Sequence, residues 1–119
     1  MSELQQHLHN ILHKNYHITK DCFVLLIKDI QSPLAKLVGD AYTKEIQSNP
    51  HQIIDFHTVP EVVVEEAIAA LPAQSLVILV QSNSFRMTKH RLRADLFRLG
   101  HMVIEHARLG FTKDEEIQN

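Results

Sequence analysis

The chain predicts a small doubly wound α/β domain, a parallel sheet of about four strands with helices on both faces. Three observations carry that expectation. Apolar runs of strand length alternate with stretches of helical periodicity along the whole chain. The run Leu76–Val80 is apolar at every position, as a strand covered on both faces must be. With 119 residues there is enough chain for one core and not for two.

Each element has its own local reason. Glu3–Tyr16 reads as an amphipathic helix, with Leu4, Leu8, Ile11 and Leu12 at helical spacing. Phe23–Lys28 is a continuous apolar run and reads as a strand. Ser32 supplies an N-cap and Pro33 the favoured first helical position, opening a helix to about Gln47. Its buried stripe is expected at Leu34, Leu37, Val38, Ala41 and Ile46. Asn49-Pro50 stops that helix, and Gln52–Phe56 forms a short second strand. Thr58 and Pro60 start a third helix, Glu61–Ala70, which ends before Pro72. Ser75–Gln81 is the third strand. Thr88–Leu99 is a basic helix with a stripe of Leu92, Leu96 and Leu99, closed by Gly100 where a left-handed backbone is favoured. His101–His106 completes a fourth strand. Right-handed crossovers then make the architecture Rossmann-like.

The composition, 45% hydrophobic and 22% charged, is that of an ordinary soluble globular domain. No apolar run approaches a membrane span, and the N-terminus lacks the basic region and apolar core of a signal peptide. A cytoplasmic protein is the expectation. Cys22 is the single cysteine, so no intrachain disulfide and no thiolate metal cage can form, and a packed thiol is expected. Near the C-terminus Thr112 and Glu115 have capping-box spacing, which starts helices. Only a short stretch follows, so residues 1–119 are expected to be a single domain at the N-terminal end of a longer protein.

The first strand–helix turn, Lys28-Asp29-Ile30-Gln31-Ser32-Pro33, contains no glycine, which excludes the dinucleotide fingerprint and the P-loop. Gly39 sits mid-helix and marks a close packing contact. Nine histidines are many for this length. His9, His13 and His17 are four apart and would share a face of a continuous helix, but no carboxylate is placed to complete a shell. The solvated-face reading is therefore preferred and no metal site is assigned. Asp29 and His57 follow the first two strands, at the edge where α/β proteins bind ligands, and could act as an acid–base pair. A strand-end His and a loop Asp are also common for structural reasons.

The stretch Arg86–Arg98 holds five Lys or Arg residues against one carboxylate, Asp95, in a chain of formal charge −2. A cationic patch of Arg86, Lys89, Arg91 and Arg93 could hold phosphate. The acidic balance of the whole and the lack of an aromatic stacking set argue against nucleic acid. Docking on an acidic partner, or a simple solvated face, carries more weight. A small anionic ligand above the sheet would be met by Asp29, Ser32, Ser82, Asn83, Ser84, Arg86, Lys89 and Arg91.

The wording of Ser84–Gly110, S-F-R-M-T-K-H-R-L-R-A-D-L-F-R-L-G-H-M-V-I-E-H-A-R-L-G, resembles the N-terminal part of the thermophilic-type metalloaminopeptidases and their leucyl-aminopeptidase-like relatives. The features are an Arg soon after the third strand, a basic helix ending L-F-R-L-G, and a strand V-I-E-H followed shortly by R-L-G. The opening F-V-L-L-I-K-D and S-P-L-A-K-L-V-G-D-A-Y fits the same pattern, from about Tyr16 to the C-terminus. The resemblance implies an α/β N-terminal domain that accompanies a separate two-metal catalytic domain. None of that domain's metal-ligand motifs occurs here, so no catalytic residue and no cofactor is carried over. The expected partner is the protein's own C-terminal domain or another protein, with a homodimer left open. A stand-alone module binding a small anionic ligand or an acidic protein is the alternative. An autonomous hydrolase using Asp29 and His57 is the weakest reading.

Overall fold

The protein is described by a computed structural model, which covers residues 2–82, 96 and 98–106. Its elements are α1 (Glu3–Asn10), a π-helical segment (Ile11–Asn15), β1 (Val24–Lys28), α2 (Pro33–Glu45), β2 (His51–Asp55), α3 (Glu61–Ala69), β3 (Leu76–Val80) and β4 (Met102–His106). The four strands form one sheet in the order β2-β1-β3-β4, parallel throughout. The expected small α/β fold is therefore present.

Strand alternation divides the core. Val24, Leu26, Leu76, Ile78 and Val80 point to one face, under Leu8 and Leu12 and the α2 residues Leu34, Val38 and Tyr42. Leu25, Ile27, Val77 and Leu79 point to the other, under Val64 and Ala67 of α3 and Leu96. All five side chains of β3 are buried, because the strand has neighbours on both edges and cover on both faces. The chain runs left from β1 to β2 and right from β2 to β3, so right-handed crossovers put α2 and α3 on opposite faces. The order consequently reverses between β1 and β3, which makes the crevice at their carboxyl ends the topological switch point.

Several details differ from the sequence reading. The first helix is not uniform: the α-helix stops at Asn10 and a π-helical turn follows, with Tyr16 N–H donating to Ile11 O at 3.1 Å. Helix α2 begins as expected, Ser32 Oγ accepting from Ala35 N–H at 3.1 Å with Pro33 behind it. Leu37, however, is exposed, and Ala35 and Tyr42 take its place in the core. At 3.6 residues per turn Leu37 falls more than a quarter-turn off the face centred on Val38 and Tyr42. Strand β2 starts at His51, one residue early, and β4 spans Met102–His106. Leu99 is also exposed, lying in the turn that Gly100 closes with a φ of 83°, while Leu96 is buried as expected. The rest of the basic helix, including Leu92, and the Thr112 capping box lie outside the described residues. Among the described residues no helix is long and apolar enough to cross a membrane.

Candidate functional site

At the switch point, β1 ends at Lys28 and is followed by Asp29, and β3 ends at Val80 and is followed by Gln81 and Ser82. The parallel register pairs Lys28 with Val80, and Asp29 N–H continues the ladder to Val80 O at 3.1 Å. This brings Asp29 against Ser82, 53 residues away in sequence. Asp29 is fully buried. Its Oδ1 accepts from Gln31 N–H at 3.1 Å, an Asx-turn that redirects the chain into α2. Its Oδ2 accepts from Ser82 N–H at 2.8 Å, and Oδ1 accepts again from the Ser82 hydroxyl.

Ser32 joins the same cluster, its Oγ 2.9 Å from Ser82 Oγ. The Ser82 hydroxyl has one proton, and the carboxylate takes it. The Ser32 hydroxyl is then the donor to Ser82 Oγ, while its own oxygen caps α2. The result is a directed chain from Ser32 through Ser82 to Asp29.

Asp55 at the end of β2 repeats the Asx-turn, its Oδ1 accepting from His57 N–H at 3.2 Å. That turn brings the His57 ring over the crevice, with Nε2 4.0 Å from Asp29 Oδ2. Phe56 holds the ring edge-on at a centroid distance of 5.3 Å. The imidazole is 43% exposed, whereas the carboxylate is sealed from solvent. The sequence-based pairing of Asp29 with His57 is thus a real juxtaposition, at ion-pair rather than hydrogen-bond range. Of the predicted ligand-binding set, Asp29, Ser32 and Ser82 come together. Asn83, Ser84, Arg86, Lys89 and Arg91 lie outside the described residues.

The three helical histidines do not share one face. His17 has left the line, at a φ of 52° beyond the π-helical turn. His9 and His13 stay together, their ring centroids 4.3 Å apart. Against the expectation that no carboxylate is placed beside them, α2 supplies one: Glu45 Oε2 lies 3.0 Å from His9 Nδ1. Reasoning within one helix could not find a partner 36 residues on.

At the opposite edge of the sheet, a cleft of about 560 Å³ lies between the loops that enter the strands. His17, Gln74 and Gly100, each with positive φ, line it beside Asp21 and Cys22. Burial raises the Cys22 thiol pKa above its ordinary value, which favours the inert, protonated form.

Comparison of the chain with protein-family models, with curated proteins and with solved structures finds no match.

Proposed function

We propose that this chain is a non-catalytic α/β domain of a leucyl-aminopeptidase-like metallopeptidase, where it supports the catalytic domain or shapes its substrate entrance. The observation that carries this reading is the inward turn of the switch-point polar groups. Asp29 commits three of its four lone-pair sites to two backbone N–H groups and the Ser82 hydroxyl, and its carboxylate is sealed from solvent. A general base needs a free lone pair within reach of substrate. Asp29 is instead a brace joining the ends of β1 and β3. The wording of Ser84–Gly110 supplies the family, and the partner on this reading is the protein's own C-terminal domain, in the cytoplasm.

One observation favours a second reading. The half-exposed His57 over the crevice could meet a small anionic ligand or an acidic protein surface, as a stand-alone module would.

The test begins with the reading frame that encodes the chain. Continuation past Asn119 into a Glu- and His-rich domain supports the first reading, and a stop codon there transfers the weight to the second. Purified chain with zinc or cobalt should release no amino acid from leucyl substrates. Chelator-sensitive release would overturn the non-catalytic assignment.

A further inference from the structure

Helices α1 and α2 pack against each other on one face of the sheet, and their contact ends in a polar cluster far in sequence from the switch point. His9 and His13 come from the junction of α1 with the π-helical turn, and Glu45 from the last turn of α2. One donor atom from each residue can be chosen so that all three lie within 4.8 Å of one another. A tetrahedral ion with bonds of about 2.0–2.1 Å separates its donors by about 3.4 Å. His9 Nδ1 and Glu45 Oε2, 3.0 Å apart, are close to that distance, and a His13 nitrogen lies within 4.8 Å of the other two donors.

The carboxylate is prepared for such a role. Glu45's side chain is only 8% exposed, and Gln5 Nε2 donates to its Oε1 at 2.8 Å. The same amide donates to Ala41 O at 2.9 Å, so Gln5 is fixed to α2 and fixes Glu45 in turn. A second layer of hydrogen bonds that orients a ligand is what metal sites require. Oε2 is left to the His9 imidazole. His9 is 42% exposed and His13 lies on the surface, so an ion can enter from solvent. The π-helical turn, which contains His13 and follows His9, is a departure from regular helix that recurs at functional sites.

We infer that His9, His13 and Glu45 form a binding site for a first-row divalent transition metal, zinc foremost, that clamps α1 to α2. Two imidazoles and one carboxylate suit zinc, nickel or copper, whereas calcium and magnesium call for shells of oxygen. Three protein ligands leave a fourth position for water or an incoming donor. The site is independent of the switch point and of the proposed aminopeptidase relationship.

Calorimetric titration of tag-free, metal-stripped protein with zinc chloride tests it. One zinc per chain is expected, and cobalt(II) should give the intense d–d absorption of a four-coordinate ion. His13→Ala and Glu45→Gln should each weaken zinc binding by roughly 100-fold or more, and Gln5→Ala by about tenfold, as loss of an orienting partner does. His17→Asn, which suits the left-handed backbone there, should bind like the wild type. His13 is exposed, so its variant keeps the fold, which circular dichroism checks. Failure to bind zinc one-to-one overturns the inference, as does binding unchanged in His13→Ala and Glu45→Gln. Loss in His17→Asn equal to that in His13→Ala would overturn this ligand set.

Discussion

Tyr42 Oη and His106 Nε2 lie 2.6 Å apart, joining the last turn of α2 to the last residue of the edge strand β4. Burial, and to a lesser degree Tyr16, raises the phenol pKa well above its ordinary value, so the phenol keeps its proton and donates. His106 accepts through Nε2 and carries its own proton on Nδ1. Burial first and the charge of His7 second push the imidazole down to about 4 from 6.5.

That depression sets a pH dependence. Between pH 6.5 and about 4 the unfolded chain binds a proton at His106 that the folded chain does not. Stability is therefore highest above this window and falls as pH drops through it, by up to about 3 kcal/mol. Urea unfolding of wild type and His106→Phe across the window checks this. The variant should be the less stable at neutral pH, by about 1–3 kcal/mol for the orphaned Tyr42 hydroxyl. The gap should narrow or reverse towards pH 4. A gap constant with pH would show that His106 does not titrate abnormally.

The Asp29 brace predicts an asymmetry between its two partners. Asp29→Ala strands the Ser82 N–H in a buried crevice, leaves its hydroxyl only Ser32 Oγ, and should cost about 3 kcal/mol. Ser82→Ala keeps the backbone donor and should cost about 1–2 kcal/mol. Denaturant midpoints measure both, and equal small losses would count against the brace.

Gly39 lies where α2 crosses the Lys28 side chain at the end of β1. A Cβ there would meet Lys28 Cδ at 3.1 Å and Cβ at 3.6 Å. The nearer atom belongs to a flexible chain that can give way, and alanine favours helix over glycine by about 1 kcal/mol. Gly39→Ala should be neutral to stabilising by up to about 1 kcal/mol, whereas Gly39→Val should destabilise. Gly100→Ala should cost about 1 kcal/mol because of backbone strain at a φ of 83°, despite open space around the site. Thermal melts of the three variants test the order.

Cys22 should react slowly with alkylating reagents at neutral pH, since burial suppresses its thiolate. Asn49 holds the segment in front of β1, its Nδ2 donating to Thr19 O at 2.8 Å and Cys22 O at 3.0 Å. Asn49→Ala should loosen that segment and speed alkylation several-fold, which a timed thiol assay would register.

The local signals that were legible in the sequence are those a short stretch carries by itself. Ser32 and Pro33 announce the start of α2, the apolar run at Leu76–Val80 announces a buried strand, and Asp29 follows directly from the end of β1. The strand-end rule therefore placed Asp29, Ser32, Ser82 and His57 at one end of the sheet without coordinates. It could not tell that Ser82 and Asp29 satisfy each other, because hydrogen-bond geometry is decided by the β1–β3 register. The π-helical turn was equally hidden: Leu8 and Leu12 are buried whether or not the helix widens after Asn10. Glu45 and His106 acquire their partners across 36 and 64 residues, distances over which periodicity is silent.

The pairing of β1 with β3 has a kinetic side. These two strands hold the middle of the sheet, yet α2, β2 and α3 all lie between them in sequence. Asp29 and Ser82, which close that pairing, are 53 residues apart. One of the sheet's three strand pairings thus waits on a large loop, whose entropy is lost before the contacts repay it. Folding is accordingly expected to be slower than in helical bundles of this size. Truncations such as Ile27→Val and Ile78→Val should slow folding more than equally destabilising changes in α1.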